Sequence, residues 1–549
     1  MEINKRTILW IVFAVSLVVL WNDWMVSNGK QSMFSSAPPA KVATAPAAKP
    51  ADVPAAGTAA GTAVPGAAEA AAPVQTHIVT ITTDVVKAEI DTAGGVIKRL
   101  ELLKYRDAQD PTKNQVLFHV GGNDVYIAQT GLIGQTPAGA LPNHNTPFVA
   151  RPGPRSLDSN DQVQLVLDAE QGGVKLTKTF TFKRGDYVIG VRHDVTNLTD
   201  AKIDPSLYLQ IEHDGNKPPG DSFFMSSYTG PTLYTSQDKY QKLTFEKIEK
   251  GTAEHSLKAK DGWFALSQHF FVSAFIPPEG EARDIYTKKV GNNLYAIGNI
   301  LPLGPIAPGA TVSNDERLYS GPQTESVLEK VAPGLELVKD YGMLTVIAKP
   351  MFWVMEKIHG ALGNWGWTII AFTILIKLLF FPLSAAGYRS MAKMKVVAPK
   401  MQAIRERHKD DPVKMNQATM ELYKSEKINP LGGCLPILVQ MPVFIALYWV
   451  LQASVEMRGA PWIGWIHDLT APDPFFILPI LYAISMFLTQ KMNPAPADPV
   501  QAKMMLFMPL VFSVMFFFFP AGLVLYWVVN NLISMAQQYV ITKKLMPAK

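Results

Sequence analysis

Hydrophobic positions change rhythm along this chain, and each change marks a different kind of structure. Lys5 and Arg6 precede an apolar run from Thr7 to Trp21 that continues through Asn22 and Asp23 to Val26, with Trp10, Trp21 and Trp24 near its ends. A cleaved signal peptide has a shorter apolar core and a small-residue cleavage site. Ser27–Ser36 offers no convincing one, so residues 1–26 read as an uncleaved signal-anchor helix. Residues 27–75 form a linker: Ala37–Pro73 is almost wholly Ala, Pro, Thr, Gly and Val, with no large apolar residue to seed a core. Between 76 and 333 the period becomes two. Lys175–Phe182 alternates, meets the turn signal Lys183-Arg184-Gly185-Asp186, and resumes at Tyr187–Val191, which predicts a hairpin. Many short strands punctuated by Gly and Pro predict one all-β sandwich.

From residue 334 to 364 the period lengthens. Leu337, Tyr341, Leu344, Ala348, Met351, Met355 and Ile358 recur at helical spacing, with Lys339, Lys349 and Lys357 interspersed and Pro350 marking a kink. That pattern predicts an interfacial amphipathic helix. Apolar segments close to the ~20 residues that span a bilayer core then follow at about Trp365–Leu383, Leu431–Gln452, Pro474–Gln490, Lys503–Phe519 and Ala521–Ile541. The reading is a polytopic α-helical membrane protein of six transmembrane helices. Five of them form a core over 365–549, and an all-β sandwich lies on the far side of the membrane.

Charge sets the direction. Between the second and third spans Arg389, Lys393, Lys395, Lys400, Arg405, Arg407, Lys409, Lys414, Lys424 and Lys427 stand against Glu406, Asp410, Asp411, Glu421 and Glu426, whereas Ala453–Asp473 holds Arg458 as its one Lys or Arg. By the positive-inside rule the cationic loop, the loop at Lys491 and the tail with Lys543 and Lys544 are cytoplasmic, as are both termini. The cationic loop, 385–428, predicts a helical hairpin. Met391, Met394, Ala398, Met401 and Ile404 share a face, Asp411 caps a second helix with Pro412 at its first position, and Met415, Ala418 and Leu422 continue it. Its methionines suit either a soft docking surface or mutual packing.

Within the spans the informative residue is Lys377. A cation at bilayer depth costs at least ~2.5 kcal/mol and usually faces a protein or water-filled interior; the other reading is a lysine snorkelling to the nearer interface. Thr373 lies one turn earlier on the same face. Gln440, Ser485, Ser513, Asn530, Asn531 and Ser534 are polar residues in other spans. They suit either a shared wet cavity or ordinary interhelical hydrogen bonds. No acidic residue in the core spans is available to pair with Lys377, which suggests a hydrated groove awaiting a negative partner.

The remaining chemistry is sparse. A net charge of +5 over 549 residues gives no nucleic-acid coat, and the one cysteine, Cys434, excludes an intrachain disulfide and a Cys-based metal site. In the β-domain His193-Asp194 and Glu212-His213-Asp214 read as strand-end polar residues without metal-ligand spacing, and Asn197-Leu198-Thr199 fits a glycosylation acceptor. No phosphate-binding G-x-x-x-x-G-K-[ST] loop is present. Lacking any constellation and tethered apart, most of Thr92–Gly298 reads as dispensable for whatever the core does.

Pro382-Leu383, Met391-Ala392-Lys393-Met394, Asn429-Pro430-Leu431-Gly432-Gly433-Cys434, Gln440-Met441-Pro442-Val443-Phe444 and Gly522-Leu523-Val524-Leu525-Tyr526-Trp527 resemble the YidC/Oxa/Alb membrane-protein insertases. The order of parts resembles the Gram-negative form with a large periplasmic domain. The resemblance implies an insertase and chaperone, not an enzyme, working in the bacterial inner membrane with or without the Sec translocon. Its implied partners are nascent membrane proteins, the Sec translocon, the ribosome with signal-recognition components, and lipid. No cofactor, metal or nucleic acid is implied. It also implies a hydrophilic groove with its charge at Lys377 and Thr373 on its wall, to which the polar span residues Gln440, Asn530 and Asn531 would add lining. Substrate contact then falls on Met441, Phe444, Tyr526 and Trp527, and on Met508, which shares a helix face with Met505 and Phe512. Two residues depart from the family pattern: Lys377 replaces the usual arginine, and Trp527 replaces a tyrosine. The sandwich resembles sugar mutarotases, from which no catalysis is transferred. A secondary transporter or channel is the alternative, although the repeated halves usual in transporters are not visible; a membrane-anchored carbohydrate enzyme would need paired acids in the β-domain.

Overall fold

The computed structural model describes residues 77–122, 124–216, 228–408, 411–426, 435–492, 504, 507 and 513–544, all within one compact unit, Ala51–Lys549. The predicted anchor and linker, Cys434, the Asn429–Cys434 motif, Met505, Met508 and Phe512 lie outside the described residues.

Alternating burial builds the β-domain. In the strand Val174–Lys183, Leu176, Lys178, Phe180 and Phe182 are buried while the residues between them are half exposed. Gly185 takes the left-handed conformation at φ +68° and returns the chain into Val188–Asn197, paired antiparallel with Val174 opposite Asn197. This is the expected hairpin. Among the described residues two large sheets form. One of ten strands has Asp124–Ile133, Ser206–Asp214 and Leu294–Pro302 at its centre; one of nine carries Val174–Lys183, Val188–Asn197 and Thr311–Pro322. Leu165, Leu176, Phe180 and Val191 from the second sheet share a single apolar cluster with Ile90, Leu100, Leu209, Ile211 and Ile297 from the first. Each such side chain removed from water contributes about 1.5–3 kcal/mol, and Phe180→Ala would cost about 3–5 kcal/mol.

Polar residues run through this core, and the sequence reading of them needs correction. His193 sits in mid-strand and fully buried, with Nδ1 2.8 Å from Glu316 Oε2 and Nε2 2.8 Å from Thr130 Oγ1, so it ties one sheet to the other. Lys178 crosses the same gap and donates to Gly94 O at 2.7 Å and Thr130 O at 2.8 Å. Burial pulls its ammonium down to about 7. Glu212 and His213 are likewise buried. Alternation alone cannot separate these from surface polar residues, because their partners come from distant strands. Asn197 is also buried, its amide bonded to Ala201 O and Ile306 O, so the glycosylation match is not accessible.

Nine helices are assigned among the described residues: α1 Phe245–Glu249, α2 Glu325–Val331, α3 Thr345–Leu362, α4 Trp365–Leu379, α5 Phe381–Arg407, α6 Pro412–Ser425, α7 Leu435–Ala453, α8 Ile477–Met492 and α9 Ala521–Lys544. α3 continues through Pro350, which lies in its second turn. The predicted span Trp365–Leu383 is not one helix: α4 stops at Leu379 and α5 leaves at 67°. Pro382 explains this, since it lacks the N–H that a continuous helix would direct to Leu378 O, and it sits comfortably in the first turn of a new helix. Among the described residues no single helix is long and apolar enough to cross a membrane; α4 with the first part of α5 passes that test as a bent pair. Asp411 caps α6 as expected, accepting from the Val413 and Lys414 amides at 3.2 and 3.1 Å. Tyr423 donates to Met401 Sδ at 3.0 Å, so part of the methionine stripe packs α5 on α6.

The helices pack on α3, α4, α7, α8 and α9 around Phe352, Phe372, Leu447, Val450, Tyr482 and Val524. Two glycines make the closeness possible. A Cβ at Gly366 would fall 2.1 Å from Trp462 Cδ1, and one at Gly522 would fall 3.1 Å from Leu469 O, which its own amide reaches at 2.9 Å. The β-domain is not tethered apart from these helices. His269 Nε2 lies 2.9 Å from Gln452 O, and Val455, just past α7, joins the apolar core of the sandwich.

Glu212 gives this interior a pH signature. Leu207, Leu209 and Ile211 on the same strand face the intersheet core, so alternation puts Glu212 on the opposite face, held by Gln210 Nε2 at 2.8 Å. Burial pushes its carboxyl up to about 7 from an ordinary 4.5. The folded state therefore binds the proton more tightly. Its contribution is fully present below pH 4.5 and is lost as pH rises through 7. Buried His213, pulled below its ordinary value by desolvation, acts in the opposite sense, so the readout is a difference. The melting temperature of Glu212→Gln minus that of the parent should climb between pH 4.5 and 7 and level off above; a flat difference would contradict the assignment.

Candidate functional site

Lys377 occupies the last turn of α4, where the break at Phe380 leaves carbonyls without intrahelical partners and the helix dipole favours a cation. Its side chain is only 4 % exposed. The ammonium donates to Ser534 Oγ at 2.8 Å and faces Gln440 Oε1 at 3.5 Å. Ser534 in turn donates to Asn530 O at 2.7 Å, and Gln440 Nε2 donates to Asn530 Oδ1 at 2.7 Å. Gln537 Nε2 reaches the Lys377 carbonyl at 3.3 Å, satisfying one of the groups the break exposes. The Tyr388 and Tyr526 side chains lie beside Ser534 and Gln440. Helices α4, α5, α7 and α9 thus converge on one cation whose side-chain partners are neutral. No acidic side chain is among its partners, as the sequence reading expected; neutral side chains solvate it instead.

The other predicted residues divide. Gln440 and Asn530 belong to this cluster. Thr373 does not reach it: its hydroxyl donates to Ile369 O at 2.6 Å within its own helix, a bond that lets a buried threonine pack in an apolar face. Asn531 turns away and donates to Ser485 Oγ on α8 at 3.2 Å. Tyr526 and Trp527 form an aromatic group with Phe444, whose ring lies 4.3 Å from Trp527 and 6.3 Å from Tyr526. Tyr482 and Phe516 close it from the other side, each 6.0 Å from Trp527. Trp527 Nε1 has no partner among the described residues. Met441 is 45 % exposed, as is much of Ile445 one turn later, so the open stripe of α7 is 441–445 and Phe444 lies on its edge. Val450, further along the same helix, is fully buried.

Three contributors were missed as site residues: Ser534 as direct partner, Tyr388 and Gln537. A signal existed, since Asn530, Ser534 and Gln537 fall at i, i+4 and i+7 on one helix face. What the cluster offers chemically is a fixed positive charge in apolar surroundings, next to an aromatic surface and an exposed methionine. No group of three or more His, Cys, Asp or Glu suited to a metal occurs among the described residues.

Comparison with known proteins assigns the family. Residues 78–354 match the family described as YidC periplasmic domain, and residues 357–548 match the 60Kd inner membrane protein family. The membrane protein insertase YidC of Herminiimonas arsenicoxydans is 59 % identical over 99 % of each chain. That of Janthinobacterium sp. (strain Marseille) is 58 % identical over 98 % of this chain and 99 % of its own. A crystal structure of an active YidC insertase is 18 % identical, covering 85 % of this chain and 94 % of that one, with a TM-score of 0.39. The transporter or channel alternative finds no support among these relatives. Identity sustained from end to end means that this chain belongs to the YidC family of membrane protein insertases.

Proposed function

We propose that this chain inserts and helps fold membrane proteins in the bacterial inner membrane, with the Lys377 cluster as the polar wall of a groove that receives the translocated part of a substrate. The observation that carries the reading is a buried ammonium held by Ser534 and Gln440 and by no carboxylate of its own spans. A nascent chain must take a polar, often acidic tail across about 30 Å of hydrocarbon, and desolvation opposes it. A carboxylate meeting Lys377 trades neutral acceptors for one of opposite charge, which adds Coulomb attraction in apolar surroundings. Burial of the substrate's apolar helix in lipid supplies the net drive. That helix would leave along the Met441 stripe, where flexible side chains accept many sequences.

Six spans with both termini in the cytoplasm and the sandwich in the periplasm fit the loop charges, with α4 and the start of α5 sharing a bent span. Thr373, Asn531 and Met508 enter this proposal as a packing residue, an α8–α9 tie and a slide residue. The Sec translocon, the ribosome and signal-recognition components are proposed partners by family.

Charge at 377 should matter more than shape. In proteoliposomes with a protease-protection readout, Lys377→Arg should keep insertion of substrates with acidic tails, and Lys377→Ala should slow it by roughly tenfold, the equivalent of about 1.4 kcal/mol. Insertion by the alanine variant at the parental rate would rule out the groove charge.

The exit path is testable separately. Photo-cross-linkers at 441, 445 and 508 should capture a stalled transmembrane segment, 444 should do so more weakly, and 450 should not. Equal capture at 441 and 450 would mean that α7 offers no defined face.

A further inference from the structure

One short turn is fastened on every side. α7 ends at Ala453, and the 3-10 turn Val455–Met457 follows directly. Val455 lies in the apolar core of the sandwich and Met457 in that of the helices. Arg458 Nη2 donates to Arg106 O at 2.8 Å and Gln115 Oε1 at 2.7 Å on the sandwich, and its guanidinium lies 4.9 Å from the Phe271 ring centre. Glu456 accepts from Lys339 Nζ at 3.1 and 3.2 Å.

Lys339 is unusual among the ion pairs of the described residues. Its side chain is 0 % exposed, whereas the other paired lysines range from 32 to 85 %. Its ammonium also sits 3.7 Å from the ring centre of Phe352 on α3. One buried cation therefore joins the segment before α3, α3 itself, and the turn after α7. A buried pair of this kind adds little net stability compared with apolar packing, but losing one partner strands a charge. Its value lies in fixing geometry.

We propose that Lys339 and Glu456 are positioning residues for insertion: their clasp fixes the end of α7 remote from Gln440, and so sets where Gln440, Met441 and Phe444 stand relative to Lys377. This rests on the proposed role of the Lys377 cluster and adds a requirement for it. α7 carries Gln440, which meets Lys377, in its first half, and the pinned turn follows its last residue. Release of that turn lets the helix tilt, and a small misplacement at a functional centre is costly. The clasp is distinct from the sandwich, since Lys339, Phe352 and Glu456 all lie outside Thr92–Gly298.

The test uses the full chain in proteoliposomes, with membrane abundance, insertion rate and cross-linking from positions 441 and 445 measured together. Lys339→Met and Glu456→Gln should each slow insertion by roughly threefold to tenfold at parental abundance, and spread cross-links from the substrate to neighbouring helices. The exchange Lys339→Glu with Glu456→Lys should recover both readouts beyond either single variant. Parental rate and cross-link pattern in both single variants would overturn the proposal, as would an exchange no better than the singles. If Lys339→Met does not accumulate, Glu456→Gln, which keeps side-chain shape, decides alone. Failure of Lys377→Ala to slow insertion, with the clasp variants still impaired, would reject the groove charge and leave the clasp standing.

Discussion

Removing an ammonium group from water costs several kcal/mol unless the protein replaces its hydration, and this molecule meets that demand three times among the described residues. Lys178, Lys339 and Lys377 are all buried, and each is compensated differently. Lys178 is bound by two backbone carbonyls and lies near the Phe148 ring. Lys339 has a carboxylate and a ring. Lys377 has a hydroxyl and an amide oxygen. Each arrangement recruits partners from separate elements, so the need to solvate these cations dictates which strands and helices meet.

For Lys377 the backbone contributes as much as the side chains. Because Pro382 cannot supply its amide, α4 ends at Leu379 and turns by 67°. That break brings a helix terminus to the depth of the lysine and leaves a carbonyl for Gln537. An unbroken helix would have hidden those carbonyls and removed the electrostatic reason for a cation at this place. α4 and α9 also approach closely at Gly522, where a Cβ would fall 3.3 Å from Ile369 Cδ1.

Much of this was legible in the chain itself. The hairpin at Gly185, the Asp411 cap, and the importance of Lys377 follow from local chemistry or from one residue in an unsuitable environment. The family followed from short motifs. Interactions between distant residues were not legible. Lys339 reads as one of three lysines on an amphipathic helix, and nothing near it foretells Glu456, which is 117 positions away. His193 reads as a strand-end residue because Thr130 and Glu316 are invisible to alternation. Pro382 was visible, but its break was missed because hydrophobicity continues through it. The burial of Val450 was not legible because α7 is apolar all round, so periodicity carries no sign of which side is buried. The split between Asn530 and Asn531 had the same cause: adjacent residues point about 100° apart on a helix, and only the neighbours show which direction matters.

The three solutions also differ in permanence, and that difference bears on mechanism. A carboxylate and a ring held against a fully buried lysine form a contact that a passing chain cannot replace without leaving Glu456 stranded, which suits a structural clasp. Backbone carbonyls, as at Lys178, are equally fixed, because they belong to the sheets they join. A serine hydroxyl and a glutamine amide are different. Both have other partners in place, Ser534 on Asn530 O and Gln440 on Asn530 Oδ1, so either can release the ammonium with a bond still made. On the role proposed for Lys377, a substrate carboxylate would displace neutral acceptors whose side chains each keep a second hydrogen bond, and its departure would be met by their return. Lysine also suits this exchange: its ammonium is a compact point charge with rotatable donors, whereas the guanidinium fork that arginine would bring holds a carboxylate with two parallel bonds. If the site binds an acidic tail and then lets it go, as proposed, it works best with attraction strong enough to draw the tail in and partners ready to take the cation back.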